Sequence, residues 1–263
     1  GFLQRDKKIA GVTTSILVRN PKTFIEKLQA IEYVVICFAR KLLDFIDAVY
    51  VTPGPFALYR KKALLEVGLF DEKNMTQDIE IVWRLMSKGY RARMSLSTRT
   101  YVDSPKNMKA WWRQRIRWNI GGTQTIWKYK KWAFKKNMLG VFIIPFFSAS
   151  LFLGVFGIGL LLYLSVRRIL TSYLNTVYSL SAQTAVITLQ DLSFNPSILN
   201  FFGIALFIIG SSYTFFGLVT MRELKSSYIN FYSMITFLTV YLLLYPINLV
   251  HSLIKMAKKE YSW

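Results

Sequence analysis

Apolar and polar positions alternate in the first half of the chain and run together in the second. Ile9 to Val18 is rich in β-branched residues and predicts a strand, ended by Asn20-Pro21. From Lys22 to about Ala48 the apolar residues Phe24, Ile25, Leu28, Ile31, Val35, Phe38, Leu42 and Phe45 recur at spacings of three and four. That is the period of an amphipathic helix. Thr52-Pro53-Gly54-Pro55 is a turn, Phe56 to Tyr59 a short strand, and Arg60 to Val67 a short helix ended by Gly68. Thr76 caps the next helix, which buries Ile79, Val82, Trp83, Leu85 and Met86, reaches about Lys88 and stops at Gly89. Arg91 to about Thr100 predicts another strand. Strands alternating with helices make residues 1–103 an α/β region, too short for a whole doubly wound domain.

Beyond Lys136 the pattern changes. Met138 to Leu164, Leu192 to Met221 and Ser226 to Ile254 carry no Asp, Glu, Lys or Arg. About 20 apolar residues cross a bilayer, so each run is long enough and three spans are expected in residues 137–263. Their orientation conflicts with charge placement. Three single crossings put the two ends of the chain on opposite sides, yet Arg167, Arg168, Lys255, Lys258 and Lys259 favour the cytoplasm by the positive-inside rule. A re-entrant stretch near Pro145 or Pro246 resolves the conflict.

Charge sharpens this division. Residues 1–136 carry 27 Lys and Arg against 11 Asp and Glu, whereas residues 137–263 carry 7 against 3. Ser104 to Lys136 holds ten basic residues, no acid, and five of the seven tryptophans: Trp111, Trp112, Trp118, Trp127 and Trp132. Basic residues interleaved with indole rings predict interfacial amphipathic helices at 104–136, lying on a lipid bilayer. Because the run leads straight into apolar sequence, anionic lipid or a sugar diphosphate is the expected partner, not nucleic acid.

The chemistry is narrowed by what is scarce. Cys37 is the only cysteine and His251 the only histidine, which excludes an intrachain disulfide, a thiolate metal cluster and a histidine-based triad. Any general base is then a carboxylate. Asp78 sits in the first turn of its helix, where the helix dipole favours an anion, and Glu80 on the same turn is an alternative base. Gln114 and Arg117 share a helix face, flanked by Trp118. Taken singly, dipole complementation accounts for Asp78 and interface anchoring for the other three. Asp44 and Asp47 read as a solvated helix face.

Taken together, Thr76-Gln77-Asp78 followed by Gln114-Arg115-Ile116-Arg117-Trp118 and then apolar spans resembles the processive family 2 glycosyltransferases, the cellulose, chitin and hyaluronan synthases. Those enzymes carry T-E-D and Q-x-x-R-W in that order. Gln29-Ala30-Ile31-Glu32-Tyr33 is similar to their Q-x-x-E-Y helix, and Val51 to Arg60 to their acceptor-side loop. Trp118-Asn119-Ile120-Gly121-Gly122 and Tyr245-Pro246 with Trp263 look most like the bacterial poly-N-acetylglucosamine branch.

The resemblance implies the C-terminal half of a GT-A type glycosyltransferase domain followed by interfacial and transmembrane helices. It implies a multi-pass protein of the cell membrane, with the catalytic part cytoplasmic. The implied reaction moves a sugar from a nucleotide diphosphate, such as a UDP-sugar, to a growing polysaccharide with inversion and translocates the polymer. Asp78 is then the base, Arg117 and Gln114 meet the leaving diphosphate, Trp118 stacks on the acceptor sugar, and Gly54, Pro55 and Phe56 line the acceptor side.

Two departures stand out. Gln77 occupies the place of the glutamate in T-E-D. The D-x-D ligands of the divalent metal (Mg or Mn) that the family implies are not in this chain, so the donor-binding half is expected ahead of Gly1 and the chain alone is expected to be inactive. Two other readings are a transferase that adds one sugar to a lipid carrier and a catalytically silent membrane module.

Overall fold

The computed structural model describes residues 1–181, 198–221, 229 and 231–261. A short N-terminal helix α1 (Phe2–Arg5) leads into β1 (Ile9–Val18), the centre of a three-stranded sheet ordered β2-β1-β3. β2 (Ala57–Tyr59) runs antiparallel to β1, and β3 (Arg91–Val102) runs parallel to it with a register shift between Thr14 and Ser15. All ten residues of β1 are buried, which is why its sequence reads as nearly continuous apolar and β-branched residues instead of alternating.

The long helix α2 (Phe24–Phe45) starts at a reciprocal cap. The Glu26 N–H donates to Thr23 Oγ1 at 3.2 Å, and the Thr23 N–H donates to Glu26 Oε2 at 2.7 Å, satisfying two otherwise orphaned donors. The sequence-based ends lie a little outside these bounds, at Lys22 and Ala48. At the other end, Asp44 is fully buried and not on a solvated face. Its Oδ1 accepts the Met94 N–H at 3.0 Å, and its carboxylate meets Lys41 and Arg93, so it ties α2 to β3. Asp47 pairs with Arg91 and Arg93.

After β2 come α3 (Lys61–Glu66) and α4 (Gln77–Ser87). Gly68 and Gly89, with φ of 84° and 86°, provide the left-handed turns that end them. Ile81, Trp83 and Leu85 of α4 are buried in the main core, each contributing about 2 kcal/mol by burial.

The basic segment forms one 22-residue helix, α5 (Met108–Tyr129), and a 3₁₀ turn at Lys130–Trp132. Its tryptophans do not form a lipid-facing row. Trp111 is 2% exposed, its Nε1–H donates to the Tyr241 hydroxyl at 3.3 Å, and the Trp112 Nε1–H donates to His251 Nδ1 at 3.0 Å. Both residues fasten α5 to a membrane-type helix, so neither is free to anchor in lipid. Only Trp127, 68% exposed, points away from the protein.

Among the described residues, three helices are long and apolar enough to cross a membrane: α6 (Ile144–Ser181), α7 (Ile198–Thr220) and α8 (Phe231–Ala257). α6 follows a π-helical turn at Leu139–Ile143. That wider turn spans Val141, the carbonyl that the Pro145 ring would otherwise meet. α6 continues through Arg167 and Arg168, and α8 through Pro246. Neither proline therefore marks the expected re-entrant break. Leu192 to Pro196, at the start of the second apolar run, and Trp263 lie outside the described residues.

The membrane-type helices and the sheet domain are joined through α2. Phe38 stacks on Tyr213 of α7, with centroids 5.2 Å apart, while Leu28 and Ile31 pack on Phe237 of α8. α6 reaches back through Phe147, whose ring lies 4.5 Å from that of Tyr50 and 6.3 Å from that of Trp83.

Candidate active site

The mouth of α4 is held from outside. Thr76 occupies the N-cap position, but its hydroxyl does not cap the helix as expected; it donates to Asn74 Oδ1 at 3.3 Å. Asn74 is clamped in turn, its Nδ2 donating to Thr125 of α5 at 3.0 Å. The Met75 N–H donates to Gln124 Oε1 at 3.1 Å. Helix α5 can come this close because of Gly121. A Cβ there would lie 2.4 Å from Thr76 Oγ1 and 2.7 Å from Thr76 N. Gly121 thus sets the separation between the start of α4 and the middle of α5.

Asp78 lies in the first turn of α4, partly exposed, and its Oδ1 accepts the Ile79 N–H at 3.1 Å. Burial pushes its carboxyl above the ordinary range, while the Ile79 and Asp78 N–H groups and the charges of Arg40 and Arg117 pull it back. Its backbone carbonyl faces the Thr52 N–H at 3.5 Å, linking Asp78 to the loop before β2. The Thr52 and Tyr59 hydroxyls are 2.5 Å apart. Burial and the nearby Asp78 charge outweigh the opposing Thr52 contact and push Tyr59 up to about 12, so it stays neutral. Gly54, Pro55 and Phe56 form an exposed turn just beyond Thr52.

Glu80, the other acid of this turn, is fully buried and occupied. It pairs with Arg84 and with Lys128 at 2.6 Å, and the Tyr129 hydroxyl donates to it at 2.8 Å. It fixes α4 to α5 and has no open side for a substrate. Of the two candidate bases, only Asp78 is accessible.

The motif on α5 divides its work. Arg117 points outward and exposed, within electrostatic reach of Asp78. No direct ion pair joins them among the described residues. Gln114 Oε1 accepts from Gln29 Nε2 at 2.9 Å, so the glutamine is anchored on α2. Arg115, a variable position of the motif, is completely buried and ion-paired with Glu32. Its guanidinium lies 4.2 Å from the Trp118 ring centroid and 5.3 Å from that of Trp111. One side of Trp118 is thus held on a cation, and the residue keeps partial exposure. Burial pushes the Glu32 carboxyl up, while Arg115 and the hydroxyl of Tyr241, 2.7 Å away, pull it back. Burial works against Arg115 as a cation, but Glu32 and the surrounding tyrosines hold it above its ordinary value.

The structure therefore brings Asp78 and Arg117 to one place, with Trp118 and Gln114 on the same helix as Arg117. It places Gly54 to Phe56 on the adjoining loop. The Glu32–Arg115 pair is a functional support with little signal in the sequence beyond an acid at the fourth place of Gln29 to Tyr33, amid the apolar positions Leu28, Ile31 and Val35. Among the described residues, no group of three or more His, Cys, Asp or Glu converges. The arrangement can accept a proton at a carboxylate of raised basicity, meet negative charge at an open guanidinium, and present an aromatic surface.

Poly-β-1,6-N-acetyl-D-glucosamine synthase of Staphylococcus aureus strain COL is 31% identical over 124 residues, 47% of this chain and 30% of that protein. The synthase of the same name from Staphylococcus epidermidis is 27% identical over 176 residues, covering 66% of this chain and 42% of that protein. The chain spans less than half the length of the curated relatives it matches. The model of the family described as glycosyl transferase family group 2 matches residues 1–250, and the chain belongs to that family.

Proposed function

We propose that this chain forms the acceptor-side and membrane-embedded part of an inverting glycosyltransferase that lengthens a polysaccharide from a UDP-sugar and passes the product through its membrane helices. The observation that carries the reading is the accessible Asp78 carboxylate, basic through burial and within electrostatic reach of the exposed Arg117. In the transfer, an acceptor hydroxyl gives its proton to Asp78. Its oxygen forms a bond to the anomeric carbon as the bond from that carbon to the diphosphate oxygen breaks on the opposite face. A base poised near the working pH makes this single displacement effective. Arg117 meets the charge gathering on the departing diphosphate, with Gln114 beside it. Trp118, stiffened by Arg115, supports the apolar face of the acceptor's terminal sugar. The turn Gly54–Phe56 borders the same side.

The names of the Staphylococcus relatives favour N-acetylglucosamine as the sugar. The basic residues close to the first apolar helix favour a cytoplasmic side for 1–136, with the apolar helices as the spans of a cell membrane.

The test is the product. Membranes carrying the native protein are incubated with radiolabelled UDP-N-acetylglucosamine and the product is sized. A long polymer supports the reading. A single sugar on a lipid overturns the polymerising part, and no incorporation overturns the donor.

A further inference from the structure

Arg40 is the odd charge of this site. It lies on α2, is 5% exposed, and its Nε and Nη1 have no hydrogen-bond partner. Among the described residues it makes no ion pair. The other buried arginine, Arg115, also leaves Nε and Nη1 without partners, but its charge is met by Glu32 and two indole rings. Arg40 has no carboxylate in contact. A buried guanidinium left in this state costs free energy that a ligand oxygen would offset. Its charge acts on Asp78 at the mouth of α4, on Tyr50 of the loop before β2 and on Tyr33 of α2. The same helix face carries Gln29, which donates to the Tyr33 hydroxyl at 3.3 Å and to Gln114. A polar stripe from Gln29 through Tyr33 to Arg40 thus runs along α2 from the motif on α5 toward the base.

We propose that Arg40 is a sugar-binding group of the transfer site: its guanidinium donates to an oxygen of the acceptor's terminal sugar while Asp78 takes the proton of the attacking hydroxyl. The inference rests on the reading of Asp78 as the base. A neutral sugar fits between the two better than a phosphate does. Its hydroxyl and acylamino oxygens accept from the guanidinium and its hydroxyl donates to the carboxylate, so both charged groups are satisfied together. A phosphate there would set a second anion against Asp78 in a poorly solvated space. The exposed Arg117 is left for the diphosphate.

The experiment measures transfer by the full-length native protein in membranes, varying UDP-N-acetylglucosamine and a soluble β-1,6-linked N-acetylglucosamine oligosaccharide independently. Arg40→Met is expected to raise the KM for the oligosaccharide about ten-fold or more, the cost of removing a hydrogen bond from a charged donor, with donor KM little changed. Arg40→Lys, which keeps the charge but not the fork, falls between. Where Arg40→Met does not accumulate, Arg40→Lys and Arg40→Gln carry the same comparison. A rise in donor KM instead assigns Arg40 to the diphosphate and overturns the proposal, as does an unchanged acceptor KM. Asp78→Asn is assayed in parallel. If it transfers normally, the reading of the site fails; if it is inactive and the Arg40 variants keep the wild-type acceptor KM, only the role of Arg40 fails.

Discussion

The Glu32–Arg115 knot and the surroundings of Asp78 both bury charge, but they treat it differently. In the knot, the carboxylate meets a guanidinium and a tyrosine hydroxyl, and the guanidinium is flanked by two tryptophans. Around Glu80 the same holds, with Arg84, Lys128 and Tyr129 converging on one acid. Around Asp78, by contrast, Arg40 and Arg117 make no ion pair with the carboxylate among the described residues, and it accepts from backbone N–H groups of its own turn. Charges that meet each other build a frame, whereas charges held apart leave room for a substrate. The two acids on one turn of α4 show the rule at the smallest scale: Glu80 is scaffold and Asp78 is free to react.

The largest effect expected from breaking this contrast is on the frame. Glu32→Ala leaves Arg115 buried without its carboxylate and should destabilise the protein by about 3–5 kcal/mol, read as a lower melting temperature in detergent. A melting curve like that of the wild type would show that the knot does not hold α5 to α2.

Gly121→Ala comes next. Its Cβ would overlap Thr76, including the backbone nitrogen, so α4 and α5 must part, at a cost of about 1–3 kcal/mol and with loss of transfer. Gly122→Ala is the control. Nothing lies within 4 Å of its added methyl, and it should be neutral or gain up to about 1 kcal/mol from helix propensity.

The smallest effect is electrostatic. On the proposed reading Asp78 works as a base only when ionised, so transfer should fall as pH drops through its pKa. The groups facing it are Arg40 from α2, Arg117 from α5, and Tyr50 and Tyr59. Arg117→Ala removes one of the two positive charges that pull Asp78 down. The acid limb of the residual rate should therefore move to higher pH; an unmoved limb would remove Arg117 from the surroundings of the base.

The sequence made the frame's outline legible but not its interior. β1, α2, α4 and the three apolar helices each announce themselves through periodicity or run length, properties local to the element. Asp78, Arg117 and Trp118 could be singled out because their motifs are short and contiguous. Glu32 and Arg115 could not, since their pairing joins α2 to α5 across most of the sheet domain. Asp44 looked solvated for the same reason, its partners Arg93 and Met94 lying on β3. Trp111 and Trp112 suggested a bilayer interface because indole rings with lysine and arginine carry that signal, whereas α8 supplies Tyr241 and His251 to receive them.

The most direct test of the central claim is transfer and thermal stability measured together for Asp78→Asn in the full-length protein in its membrane. Burial raises the Asp78 carboxyl, so its ionised form costs the fold stability above the unfolded-state value, and a neutral amide should melt at the same temperature or higher. Transfer should fall about 10²- to 10⁴-fold, the usual contribution of a general base. A variant that melts normally and still lengthens polymer at the wild-type rate would contradict the account.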